Sequence, residues 1–318
     1  MGHNAPVRPR LTLVVGAALL IAAVAGTPPS GAAPRARAAA SASAGGTALD
    51  PSAFSAGACV AFPPTEGDRH QTVFLDAGHG GVDPGGVGTT GSGQTVTEAT
   101  VNLAVALQAA ASLRSRGYRV VLSRTGDTSV AKLGWYDLDD YLLSVRGVFD
   151  DVAARDVCAN LARATVLVGV YMDSAADPSA AGSLSAYDSA RPFAAQSQRL
   201  AGDLQAAVLS ALDSWGWQIP DDGVVDDTEL GSLVGDPDLG GLAAEAAAYD
   251  HLLLLGPAQA GYFTTPSQMP GAVIEPLYLT DPFEGGLAAS PLAQRVMGEA
   301  LAAGVAKYLG AAPAAESA

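Results

Sequence analysis

From residue 70 onward, short apolar runs alternate with longer stretches of helical spacing. Thr72 to Asp76 (TVFLD), Tyr118 to Ser123 (YRVVLS) and Thr165 to Tyr171 (TVLVGVY) are continuous runs of strand length. Such runs mark strands covered on both faces. Ser183 to Tyr187, His251 to Leu255 and Ala272 to Leu277 read as further strands. Between them, Thr97 to Arg116 carries Val101, Ala104, Val105, Leu107 and Leu113 at helical spacing. Gly117 ends that helix and Thr97 is its candidate cap. Asp139 to Ala162, Pro192 to Leu212 and Pro291 to Leu309 read as three more helices, and the Asp- and Gly-rich stretch 215–241 as a long surface loop. The alternation predicts an α/β fold: a three-layer, largely parallel twisted sheet of about six strands flanked by helices.

The chain before residue 70 has a different texture. Arg8 and Arg10 precede an apolar run from Leu11 to Ala25, followed by Gly26, Thr27, Pro28 and Pro29. That run is shorter than the about 20 residues a membrane helix needs, and suits the core of a secretory signal. The reading is a signal peptide over 1–40, with Ala23-Val24-Ala25 and Ala38-Ala39-Ala40 as alternative cleavage sites. Residues 41–69 read as an Ala/Ser/Gly/Pro-rich linker, 70–310 as the folded domain and 311–318 as a disordered tail. The expected location is therefore secreted, outside the cytoplasm, with no stable membrane insertion after cleavage.

Composition narrows the partners. Hydrophobic residues make up 49% of the chain but aromatics only 6%, so the core is expected to rely on Ala, Val and Leu between closely spaced elements. The net charge of −15 argues against nucleic acid or anionic lipid held by long-range attraction. The two cysteines, Cys59 and Cys158, allow one disulfide outside the cytosol; a buried helical thiol and a free linker thiol are the alternative.

Ligands in parallel α/β sheets bind where the strands end, and chemically useful residues fall there. His79 lies between glycines just after the first strand (Asp76-Ala77-Gly78-His79-Gly80-Gly81). Glu98 opens the following helix, and Glu275 sits in the last apolar strand (Ala272-Val273-Ile274-Glu275-Pro276-Leu277). A carboxylate in such a run needs a metal, a donor or a proton. Each residue also has a plain structural reading, as a polar loop residue, a helix-start acid and a partner for a surface arginine. Their joint occurrence at strand ends of one sheet favours a site. Asp221, Asp222, Asp226 and Asp227 read as a solvated acidic loop, with a calcium site as the alternative; Trp215 and Trp217 read as packing at a helix end.

The motifs around these residues resemble the third family of zinc-dependent N-acetylmuramoyl-L-alanine amidases, from Gln71 to Leu309. The likeness runs through Phe74-Leu75-Asp76-Ala77-Gly78-His79-Gly80-Gly81, Asp83-Pro84-Gly85, Glu98 with Val101-Asn102-Leu103-Ala104, and Gly117-Tyr118-Arg119-Val120-Val121-Leu122-Ser123-Arg124. It continues in Arg155 with Ala159-Asn160, and in Val273-Ile274-Glu275 with Leu279-Thr280-Asp281-Pro282. The resemblance implies one Zn²⁺ held by two His and one Glu, a fourth position open to water, and a second Glu as general base and proton donor. By position, His79 and Glu98 are the implied metal ligands and Glu275 the catalytic carboxylate. The implied substrate is peptidoglycan or muropeptides, cut between N-acetylmuramic acid and L-alanine.

One departure matters. The family's second histidine follows the third strand, where this chain has Tyr171 in Gly169-Val170-Tyr171-Met172-Asp173-Ser174. Three substitutes for the missing imidazole stand open: Tyr171 as phenolate, Asp173 on the same side two residues on, or His251 from a late strand. Ala77 also replaces the family's proline, and Pro276-Leu277 stands where a glycine is usual. The alternative function is a catalytically impaired or inactive member of the fold that binds wall fragments or regulates cell-wall turnover.

Overall fold

Residues 45–230 and 248–310 are described in the computed structural model. The apolar runs form strands of one eight-stranded sheet. In chain order, β1 is Thr47–Ala48, β2 Ala58–Phe62, β3 Thr72–Ala77, β4 Val87–Thr89, β5 Thr95–Thr97 and β6 Arg119–Arg124. They are followed by β7 Leu138–Asp139, β8 Leu142–Leu143, β9 Val166–Val170, β10 Ser183–Tyr187, β11 Asp221–Asp226 and β12 Gly271–Glu275. The sheet order is β1-β2-β6-β3-β9-β12-β10-β11, while β4-β5 and β7-β8 are separate hairpins. The central strands β6, β3, β9 and β12 are parallel; β2 and β10 run against them, and β11 follows β10 in parallel.

Alternation along β3 divides the core. Val73, Leu75 and Ala77 join one apolar cluster with the helices α1 (Glu98–Ser115), α3 (Ala194–Ser214) and α5 (Pro291–Gly310). Phe74 joins the cluster on the other face, where α2 (Val145–Leu161) packs. A short α4 (Pro282–Ala288) is capped by Asp281, whose carboxylate accepts from the N–H groups of Phe283 and Glu284. Small residues let the helices approach, as the Ala-rich composition anticipates. A Cβ at Gly298 would meet Val105 O of α1 at 2.7 Å, and one at Gly304 would meet Asp203 O of α3 at 2.8 Å.

Several expectations need correction. Residues 45–69 do not behave as a linker: β2 is buried along its length and pairs antiparallel with β6. A Cys59–Cys158 disulfide joins it to α2, which settles the question the two cysteines left open. The expected helix from Asp139 begins at Val145, because residues 138–143 form the β7-β8 hairpin around the left-handed Asp140 (φ 45) and Tyr141 (φ 71). Ser144 then caps α2 by accepting from Gly147 N at 3.1 Å. The His251–Leu255 run is a turn, since the carbonyls of Leu255 and Gly256 accept from the Arg191 guanidinium rather than from a neighbouring strand. The 215–241 loop contains edge strand β11, and its remainder from 231 lies outside the described residues, as do 1–44 and 311–318. The expected leader and tail therefore fall outside them.

Candidate active site

The parallel strands β3, β9 and β12 end at one edge of the sheet, and the candidate residues gather there. The chain leaves β3 through Gly78, His79 and Gly80, with His79 in the left-handed region (φ 60). That conformation is costly for a residue with a Cβ, and it is held from below. Arg124, fully buried, donates to Ala77 O, Gly78 O and Ala99 O at 2.9, 2.9 and 2.6 Å. Arg155, also buried, donates to Ala77 O at 2.9 Å and His79 O at 3.0 Å. Two guanidinium groups thus fix the backbone that presents the imidazole.

His79 Nδ1 lies 2.7 Å from Asp83 Oδ2, and Nε2 lies 3.1 Å from Glu98 Oε2. The Asp83 contact sets the ring's orientation, as carboxylates do behind metal-ligating histidines. Glu98, on the first turn of α1, is 5% exposed. Its Oε2 accepts from Gly86 N at 2.9 Å, and its Oε1 from Met172 N and Asn102 Nδ2, each at 3.1 Å. Burial opposes both charges, but their mutual attraction wins. The carboxylates of Glu98 and Asp83 raise His79 to about 10 against its burial. His79 and the N–H donors in turn lower Glu98 against its own. Gly85 has to lack a side chain, because a Cβ there would meet His79 at 2.6 Å and Glu98 at 2.7 Å.

Glu275 closes the same edge at the end of β12. Burial pushes its carboxyl well above the ordinary range; the charges of Asp173 and Glu98 add to this, and His79 opposes it. The charges it responds to place it in the field of the His79–Glu98 pair.

Tyr171, at the family's second-histidine position, is bonded to Asp76. Its hydroxyl donates to Asp76 Oδ2 at 2.9 Å, while Asp76 Oδ1 accepts from Arg155 Nη1 at 2.6 Å. Burial and the Asp76 charge raise the phenol well above its usual value. Its ring meets the His79 ring edge-on, with centroids 5.5 Å apart, occupying the space beneath Gly78. Asp173 feels the charge of Glu98, but its Oδ1 is taken by Ser174 N at 2.6 Å. Among the described residues, no third His, Cys, Asp or Glu gathers with His79 and Glu98 within reach of one ion. His251 does not swing in either: its Nδ1 lies 3.0 Å from Asp188 Oδ2 and 3.4 Å from Asp227 Oδ1. Those residues follow β10 and β11, which run against β12, at the other end of the sheet. Asp227 is fully buried rather than solvated.

The His79–Glu98 pair fits a zinc ion as two of its ligands. The 3.1 Å separation is close to the edge of a zinc tetrahedron, about 3.3 Å for bonds of about 2.0–2.2 Å. Both ligands are oriented by groups behind them.

Comparison with known proteins identifies the family. Residues 73–307 match the family described as N-acetylmuramoyl-L-alanine amidase, and the chain belongs to that family. It is 26% identical over 250 residues to the N-acetylmuramoyl-L-alanine amidase AmiC of Neisseria meningitidis, covering 76% of this chain and 53% of that protein. A 60-residue stretch is 45% identical to AmiA of Salmonella typhimurium, 19% of each chain. The chain thus spans about half the length of the first relative. Among solved structures, the amidase AmiC2 of Nostoc punctiforme superposes with a TM-score of 0.53 at 22% identity, covering 77% of this chain and all of that one. An amidase from Clostridium difficile gives 0.52 at 24% identity, covering 76% of this chain and 98% of the other. These two likenesses establish the fold.

Sequence reasoning singled out His79, Glu98 and Glu275 and missed their supports. Asp83 was legible as part of a motif, but its hold on Nδ1 depends on a turn through two left-handed glycines, Gly80 and Gly81. The Asp76–Tyr171 bond had no sequence signal, because β3 and β9 pair across about ninety residues.

Proposed function

We propose that the protein hydrolyses the amide between N-acetylmuramic acid and L-alanine in peptidoglycan, outside the cytoplasm. The observation that carries the reading is the His79 Nε2–Glu98 Oε2 convergence, with Glu275 in its field. Zinc, held by His79 and Glu98, would supply a polarised amide carbonyl and a more acidic water. The chain's own residues do the rest. Asp83 holds the His79 ring so that Nε2 faces the cleft. Glu275 takes a proton from the attacking water and returns one to the leaving amine of L-alanine. Gly85 and Gly86, lacking side chains, let their backbone lie against the pair, where Gly86 N–H donates to Glu98. No helix among the described residues is long and apolar enough to cross a membrane.

A specific observation also favours a second reading. With Tyr171 committed to Asp76, the site has two protein ligands where a hydrolytic zinc centre has three, which suits a silent relative that binds wall fragments. Digestion of purified peptidoglycan with added zinc, read by mass spectrometry, separates the two. Intact stem peptides with free L-alanine amino termini, lost in Glu275→Gln, are expected. No release from the parent, with release gained by Tyr171→His, would establish the second reading.

A further inference from the structure

We propose that Asp188, Asp227 and His251 form a second metal site, for a first-row divalent cation such as Zn²⁺, at the end of the sheet away from the amidase cleft. Asp188 follows β10 and Asp227 follows β11, which are aligned in parallel so that Tyr187 faces Asp226. Because β10 is antiparallel to β12, with Leu184 opposite Glu275, Asp188 lies four residues along the strand from Glu275. That is about 13 Å at about 3.3 Å per residue. The site is therefore separate from His79 and Glu98.

Its construction is that of a site rather than an accidental cluster. Each carboxylate spends one oxygen on the backbone and aims the other inward. Asp188 Oδ1 accepts from Ala190 N at 2.6 Å, and Asp227 Oδ2 from Leu252 N at 2.9 Å. Asp188 Oδ2 and Asp227 Oδ1 converge on His251 Nδ1 at 3.0 and 3.4 Å, spacings close to the edges of a zinc tetrahedron, about 3.3 Å. Asp188 is 2% exposed and Asp227 0%, and Asp188 Oδ2 is buried without any hydrogen bond. Two buried carboxylates that share one imidazole nitrogen, one of them without a hydrogen bond at that oxygen, form a costly arrangement that a cation relieves. Arg191, whose charge acts on both acids, spends its guanidinium on the carbonyls of Leu255, Gly256 and Ser267.

The donor chemistry narrows the ion. Calcium and magnesium take oxygen ligands, whereas an imidazole with two carboxylates suits Zn²⁺ and its first-row neighbours. The His251 side chain is 22% exposed, leaving a coordination position for water. Bound metal would pin the 251–256 turn, which carries the buried Leu253, Leu254 and Leu255, to the antiparallel edge of the sheet.

The test uses the full chain with the amidase cleft disabled by His79→Ala and Glu98→Gln together. After stripping with chelator and adding back Zn²⁺, that protein should retain about one zinc per chain by elemental analysis, and zinc should raise its melting temperature. Adding Asp227→Asn or His251→Gln should weaken zinc binding at least tenfold and remove the shift. His251→Gln keeps the test readable should Asp227→Asn fail to fold, because this side chain is part-exposed and its loss leaves both carboxylates in place. No zinc in the cleft-disabled protein, or zinc retained undiminished by His251→Gln, overturns the site.

Discussion

The two ends of the sheet solve one electrostatic problem with different degrees of completeness. At the parallel end, His79 and Glu98 meet at 3.1 Å, and the family's third position is filled by a phenol turned down onto Asp76. At the reversed end, a histidine and two aspartates converge with three donor atoms, on strands that run the other way. Cation-binding geometry arises wherever strands stop together and loops lend backbone N–H groups to orient carboxylates. The difference lies in what surrounds each set. The parallel end also has Glu275, in the field of the pair, which the proposed reaction uses. At the reversed end both carboxylates are buried and His251 is part-exposed.

The largest expected effect sharpens this contrast. Glu275→Gln should cut turnover about 10²–10⁴-fold, the range of a lost general acid–base, with zinc content unchanged; the same assay should not respond to His251→Gln. Next, replacing Cys59 and Cys158 by alanine should cost up to about 4–5 kcal/mol in denaturant unfolding. The closed loop has a sequence separation of 99, and chain entropy sets that scale. Tyr171→Phe should cost about 1.5–3 kcal/mol in stability, by removing a hydrogen bond to a buried carboxylate. It should leave zinc affinity as it was, and a loss of zinc would mean that the phenol is a ligand after all.

The smallest effect is in pH. Burial raises Glu284 from 4.5 to about 7. The folded chain therefore keeps a proton there that the unfolded chain releases. The stability this contributes is full below about pH 4.5 and is lost as pH rises through about 7. Glu284→Gln should flatten that slope in melting curves taken across the window. Asp227, raised to about 7 by burial and then by the charge of Asp188, adds in the same direction.

Strands with both faces covered were legible because their runs are wholly apolar: β3, β6 and β9 lie where the pattern places them. The reading failed where tertiary partners decide. Ala58–Phe62 is a short apolar run inside an Ala/Ser/Gly/Pro-rich stretch, and it is a strand because β6 offers it an edge and Cys158 a covalent tie. His251–Leu255 has strand composition, yet it turns because Arg191 takes its terminal carbonyl oxygens. Within the site, His79, Glu98 and Glu275 stood out as polar groups at apolar strand ends. The fate of Tyr171 did not, since nothing local shows that Asp76 waits one strand away. The same holds for Asp188 and Asp227, neighbours only because β10 and β11 align in parallel.

Anomalous scattering at the zinc edge from zinc-soaked crystals tests the account most directly. The amidase reading predicts a peak bonded to both His79 Nε2 and Glu98 Oε2, within reach of Glu275. Zinc density confined to Asp188, Asp227 and His251, with the imidazole of residue 79 still paired to Glu98 and no ion between them, would contradict it.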